Sequence, residues 1–192
     1  MKRIILNIGE LAVSKESAAL ETILGSCVAV CLWDEQQRIG GLNHYLLPNE
    51  NPGIEKSTLY GATSIDTLIG QMVALGSKMG NMRAHIFGGS KVNRHLDELF
   101  AIGVQNVLVA RERLEFYGIP VVGEHIRDTR GIKVILKTAT GEIVIRPLGR
   151  ETESVVVREA ILVKREYQLC KACIKCGSCE DHLNGMKDVI LT

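Results

Sequence analysis

The stretch CVAVCLWDEQQRIGGLNHYL, residues 27–46, decides how this chain reads. Residues 27–33 are rich in β-branched and aromatic side chains, and residues 39–46 return to an apolar run after the polar segment Asp34 to Gln37. Two such runs around a polar turn predict a β-hairpin. The natural turn is centred between Glu35 and Gln36. A two-residue loop pairs Asp34 with Gln37, and a four-residue loop pairs Trp33 with Arg38. Either register sets Cys27 opposite His44 on one face, with Cβ atoms roughly 4.5–5.5 Å apart. Cys31 falls opposite Gly40, has no proton acceptor there, and reads as packing.

A thiol facing an imidazole is a chemical opportunity. A free thiol titrates near about 8.5 and is mostly protonated at neutral pH. The imidazole can take its proton, stabilise the thiolate, and later protonate a departing amine. Gly25 and Ser26, just before the cysteine, offer backbone N–H groups for a developing oxyanion. Taken alone, the pair reads first as two core residues, because buried cysteine packs as a small hydrophobe.

Outward from the hairpin, strands and helices interleave. Residues 3–8 and 11–13 read as short strands separated at Gly9. From Ser57 to about Met79 the period is helical, with Ile65, Leu68, Ile69, Met72 and Val73 on one face. Ser57 is the candidate N-cap and Gly80 the candidate stop. A strand at 83–87 ends in Gly88-Gly89, and a short helix follows at 92–100. Val104, Val107, Leu108 and Leu114 mark a further helix, closed by Gly118. Residues 120–126, 132–138 and 142–147 read as strands, the last two joined by a turn at Ala139 to Gly141. Residues 156–167 carry a helical stripe whose valines equally suit a strand. No strict βαβ repeat is present. The pattern predicts an α/β layered sandwich with a mixed, largely antiparallel sheet and packed helices, rather than a doubly wound parallel sheet.

Bulk properties narrow the function. The 192 residues suffice for one domain with a core and a short appendage. A formal net charge of +1 argues against a dedicated nucleic-acid binder. No apolar run reaches the roughly 18 residues of a membrane span. The start, MKRIILNIGELAVSK, breaks its apolar stretch at Asn7 and Glu10 and lacks the form of a secretory signal. The expected location is the cytoplasm. There, cysteines are catalytic, metal-binding or packing residues more often than disulfides.

The string TILGSCVAVCLWD, followed by GGLNHYLLP, resembles CheD, the chemoreceptor glutamine deamidase family of bacterial chemotaxis. Cys27 matches that family's nucleophile and His44 its catalytic histidine. Weaker matches extend over about residues 1–150: Ile8, Gly9 and Glu10; AHIFGGS at Ala84 to Ser90; IGVQNV at Ile102 to Val107; and TGEIVIR at Thr140 to Arg146. The resemblance implies a catalytic threonine shortly before the cysteine, for which Thr22 is the nearest candidate; its alternative is a surface strand residue. It also implies an α/β sandwich, hydrolysis of receptor glutamine to glutamate with release of ammonia, and no cofactor for catalysis. The implied partners are the cytoplasmic helices of a chemotaxis receptor and a CheC-type phosphatase. One departure is IRDTRGIKV, where Arg127 and Asp128 stand near positions that the family fills with glycine. A non-catalytic adaptor is therefore the alternative to an enzyme.

The last segment, 151–192, lies beyond the resemblance and reads as an extension to a deamidase domain over 1–150. It carries C-x2-C-x2-C-x2-C at Cys170, Cys173, Cys176 and Cys179. Four thiols in ten residues suit zinc, with His182 as an alternative ligand, or an iron–sulfur cluster. The spacing departs from a ferredoxin run, which has three residues before its fourth cysteine and then proline; here Glu180 follows. The alternatives are a tail of free thiols and a metal or redox sensor.

Overall fold

The computed structural model describes residues 1–49, 57–90, 97–126 and 128–149. Among the described residues, nine strands and two α-helices follow in the order β1 (Lys2–Ile5), β2 (Leu11–Ser14), β3 (Ala18–Leu24), β4 (Val28–Asp34), β5 (Ile39–Asn43), α1 (Gly61–Ala74), β6 (Met82–Gly88), α2 (Asp97–Phe116), β7 (Val121–Ile126), β8 (Ile132–Lys137) and β9 (Glu142–Pro147). They build two sheets, ordered β1-β3-β8-β9 and β2-β5-β4-β6-β7. Each sheet is mixed: β1–β3 and β6–β7 run parallel and the other pairs antiparallel. This is the mixed α/β sandwich that the sequence predicts.

The alternation along β4 explains the layering. Ala29 and Cys31 join a core with Leu20, Leu24, Val134 and Leu136 of the other sheet. Val28, Val30 and Leu32 face the other way, into a second core with Ile65, Leu68, Ile69 and Met72 of α1 and Val107, Ala110 and Leu114 of α2. A period of two thus serves two layers at once, and β4 is buried on both faces. Each fully buried aliphatic side chain contributes about 1.5–3 kcal/mol of hydrophobic stabilisation.

Both helices close on glycine. Gly76 (φ +105°) and Gly118 (φ +65°) adopt left-handed backbone. Ser77 N–H donates to Met72 O, and Ile119 N–H donates to Leu114 O. With the shorter bonds Gly76 N–H to Val73 O and Gly118 N–H to Glu115 O, these are Schellman closures. Gly76, not Gly80, therefore stops α1. The helix starts at Gly61 after Tyr60, so Ser57 is not its N-cap. The two helices expected over 92–117 are one helix over its described part, α2.

Two expectations need larger correction. The strand β3 was not expected, because AALETIL is poor in β-branched residues; pairing with β1 and β8 imposes it. The hairpin register also differs. Asp34 pairs with Ile39 across a four-residue loop, and Arg38 takes φ +54°. The reason is Asp34 itself, whose Oδ1 accepts from Gln36 N–H and Gln37 N–H while Oδ2 accepts from Ser77 Oγ. Burial tends to raise this carboxyl's pKa, but these bonds and one from Lys78 N–H together hold it below the usual value. An ionised Asp34 thus organises the turn. Cys31 consequently faces Leu42 on β5 and His85 on β6, not Gly40.

The segment 151–192, with Cys170, Cys173, Cys176, Cys179 and His182, lies outside the described residues, as does Arg127.

Candidate active site

The site forms where the two sheets meet, at the end of the hairpin opposite its turn. Cys27 immediately precedes β4. Val28 and Tyr45 exchange both backbone hydrogen bonds, at 3.2 and 3.0 Å. Directly opposed partners in this ladder sum to 73, so Cys27 is diagonal to His44 rather than opposite it. The shift keeps both residues on one face of the sheet. Diagonal neighbours sit roughly 7–8 Å apart, a span that an imidazole ring can reach across. Cys27 and His44 are both buried.

His44 is held from three sides. Its N–H donates to Glu10 O at 2.9 Å, and its carbonyl accepts from Gly9 N–H at 2.8 Å. Those residues lie where the chain crosses from β1 in one sheet to β2 in the other. From the opposing sheet, Thr22 on β3 brings its Oγ1 to 2.8 Å from His44 Nδ1. The same hydroxyl donates to Leu6 O at 2.9 Å. A hydroxyl has one proton, so a Thr22 that donates to Leu6 must accept from Nδ1–H. The imidazole is thereby fixed as the Nδ1–H tautomer, with its lone pair on Nε2. That atom is buried and has no hydrogen-bond partner among the described residues.

Electrostatics keep the ring neutral. Burial pushes the His44 pKa down to about 4, with the Leu6 carbonyl pulling the other way. A neutral ring leaves the Nε2 lone pair available as a hydrogen-bond acceptor. Cys31 differs: burial alone drives its thiol far above the ordinary range, so it stays protonated.

The loop bearing Cys27 is strapped to the end of β6. Gly89 N–H donates to Cys27 O at 2.9 Å, and Ser90 N–H donates to Gly25 O at 2.8 Å. Gly88 (φ +102°) makes the approach possible, since a Cβ there would lie 2.1 Å from the Cys27 carbonyl oxygen. Gly89 in turn meets Gly103 of α2, whose added Cβ would lie 3.0 Å from Gly89 Cα. The AHIFGGS segment is thus a clamp on the cysteine loop rather than an ordinary turn. Ser26 N–H donates to no backbone carbonyl among the described residues, leaving a donor beside the thiol.

The structure therefore joins Thr22 to His44 and sets Cys27 diagonal to His44 on one face, with Gly25 and Ser26 adjoining Cys27 in the chain. Sequence reasoning missed Ser90 and the Leu6 carbonyl. The unassigned strand β3 hid the meeting of the two sheets that joins Leu6 to Thr22. Among the described residues no cluster of three or more His, Cys, Asp or Glu side chains could hold a metal. Asp128, in the departing IRDTRGIKV loop, lies 3.3 Å from His125 Nε2. No helix among the described residues is long and apolar enough to cross a membrane.

Residues 46–147 match a family model described as CheD chemotactic sensory transduction. A Rhodospirillum rubrum protein named probable chemoreceptor glutamine deamidase CheD is 36% identical over 148 residues, 77% of this chain and 84% of that protein. A protein of the same name from Sulfurimonas denitrificans is 36% identical over 138 residues, 71% and 88% of the two chains. Among solved structures, a Neisseria meningitidis protein aligns with a TM-score of 0.43 at 14% identity, covering 78% of this chain and 76% of that one.

Proposed function

The chain belongs to the CheD family, and we propose that it deamidates glutamine side chains of chemotaxis receptors through a Cys27–His44–Thr22 site. The single observation behind this mechanism is the bare, buried Nε2 of His44, held by Thr22 on the same sheet face as Cys27.

His44 Nε2 takes the Cys27 thiol proton, and the sulfur attacks the carboxamide carbon of the glutamine. Backbone N–H groups at Ser26 and its neighbours hold the oxyanion. The carbon–nitrogen bond breaks, His44 returns the proton to the departing NH2, and ammonia leaves a thioester. His44 next takes a proton from water, the resulting hydroxide attacks the thioester, and the thiol departs with that proton. Thr22 touches no reacting atom in this scheme. It holds the tautomer and, by accepting from Nδ1–H, stabilises the imidazolium as it forms.

Each turnover places one new negative charge on the receptor. The cytoplasmic helices of the receptor are the natural target, so we place the protein in the cytoplasm. A CheC-type phosphatase is the second partner we propose, on family resemblance. The intact His44–Thr22 arrangement favours the enzyme over a non-catalytic adaptor. For the C-terminal cysteines we propose zinc or iron–sulfur binding on their spacing alone.

The test is mass spectrometry of a purified receptor fragment incubated with the chain, with ammonia measured in parallel. Mass gains of one unit at defined glutamines, matched by ammonia, are expected. An unmodified receptor with no ammonia defeats the reading and leaves the adaptor.

A further inference from the structure

Resting on the deamidase reading, we propose that Ser90 is a substrate-binding residue, its hydroxyl accepting a hydrogen bond from the NH2 of the glutamine carboxamide. Four buried side-chain polar atoms have no hydrogen-bond partner among the described residues: Ser26 Oγ, His44 Nε2, Ser90 Oγ and Asn106 Oδ1. Buried polar groups are almost always satisfied, so each unpartnered one needs a reason. The His44 atom has its reason in the reaction. Ser26 and Ser90 lie on the two segments that clasp the nucleophile, and both are buried.

Ser90 is fixed with respect to the cysteine loop through backbone alone. Its N–H is spent on Gly25 O, two residues before Cys27, and the preceding Gly89 N–H is spent on Cys27 O. The clamp positions the residue without using its side chain. A hydroxyl left buried and unpaired destabilises the fold unless something else satisfies it. A primary carboxamide brings two N–H donors into this site and needs acceptors for them. The nearby Gly25 and Cys27 carbonyls already receive the strap bonds. His44 Nε2 is reserved for the thiol proton. The Ser90 oxygen is an uncommitted acceptor on the segment strapped to the cysteine loop, free to take one of the two NH2 protons.

The experiment compares wild type, Ser90→Ala and Ser90→Thr for kcat, KM and thermal melting, using the full chain and a receptor fragment. Ser90→Ala should raise KM about tenfold with kcat within threefold, the loss of one hydrogen bond to substrate. It should melt about 2–4 °C higher, because the unpaired hydroxyl is gone. Ser90→Thr should keep KM within threefold of wild type. Should Ser90→Thr be too bulky to fold, Ser90→Cys, which keeps only a weak acceptor, should give a KM between those of wild type and Ser90→Ala. An unchanged KM in Ser90→Ala overturns the assignment, and so does a lower melting temperature with kcat lost at constant KM, which marks a structural role. An inactive wild type removes the deamidase reading, and this assignment with it; an active wild type with unaffected Ser90→Ala removes the assignment alone.

Discussion

Thr22 Oγ1 stands 2.8 Å from His44 Nδ1, although Thr22 lies on β3 and His44 directly follows β5 of the other sheet. The contact ties the tautomer of the base to the packing of the sandwich. Thr22→Val keeps the shape and removes the hydroxyl that links His44 Nδ1 to Leu6 O. Stability should fall by about 1–3 kcal/mol. Turnover should drop on the order of 100-fold, because the ring loses the partner that fixes Nε2 as the base. Thr22→Ser, which keeps the hydroxyl, should recover most activity. Urea unfolding and steady-state deamidation measure both effects, and full turnover in Thr22→Val would show that the tautomer is held by something else.

Cys27→Ala and His44→Ala should each lower ammonia release by at least about 1,000-fold while the chain stays folded. Cys31→Ala should keep activity within severalfold. Its thiol is raised by burial and faces Leu42 and His85 across the two ladders. Circular dichroism with the activity assay separates the cases. A folded Cys31→Ala protein without turnover means that the nucleophile is Cys31.

How much of this was legible beforehand depends on which force fixes each element. The hairpin strands and α1 declare themselves because their apolar period matches the layer that each covers. Strand β3 does not, since its residues suit no strand by themselves and its pairing comes from β1 and β8, which are distant in sequence. Thr22 could therefore be reached only through family resemblance, and its burial removes the alternative of a surface strand residue. The register was misjudged because turn spacing alone ignores Asp34, whose bonds to Ser77 and Lys78 draw on residues more than forty positions away. Moving the index sum by two preserves the face, so Cys27 and His44 share one although they are not directly opposed.

Acid should unfold the protein partly through His44. In the folded chain this ring stays neutral until the pH approaches about 4, whereas its unpaired value is 6.5. Between those values the unfolded state binds more protons, so stability is lost as pH falls through this window. The shift corresponds to about 3 kcal/mol when complete. Denaturation midpoints taken from pH 7 to pH 4 should fall less steeply in His44→Asn than in wild type. The acid limb of kcat/KM should lie near pH 4, because the neutral base persists to that point. Parallel midpoint curves for the two proteins, or an acid limb near 6.5, would contradict a buried neutral imidazole.

Gly88 offers a test of the clamp that leaves the reacting side chains alone. A Cβ there would stand 2.1 Å from the Cys27 carbonyl oxygen, and its φ of +102° strains any other residue. Gly88→Ala should destabilise by about 2 kcal/mol or more, and kcat should fall further than stability alone explains. Gly70 has nothing near its added Cβ and lies within α1, so Gly70→Ala is the matched control and should gain about 0.5–1 kcal/mol. The two variants are compared by denaturant unfolding and by deamidation at a temperature where both are folded. Equal activity in both would separate the clamp from catalysis.

The four C-terminal cysteines, Cys170, Cys173, Cys176 and Cys179, lie beyond the family resemblance. A chain cut before Cys170 retains every strand and helix described, including Thr22, Cys27 and His44. Its deamidation should match that of the full chain. Metal content should not match. Thiolate ligands at this spacing hold zinc or iron tightly, and removing them removes the metal. The full chain, purified without oxygen, should carry zinc, or iron with visible absorbance, and the shortened chain neither. Mild peroxide then distinguishes a sensor from a passive tail. If the tail reports redox state to the enzyme, oxidation lowers activity more in the full chain than in the shortened one, beyond the shared attack on Cys27. Equal metal content in the two chains removes the binding proposal. Equal loss on oxidation removes the sensor and leaves Cys27 as the redox-sensitive group that matters for turnover.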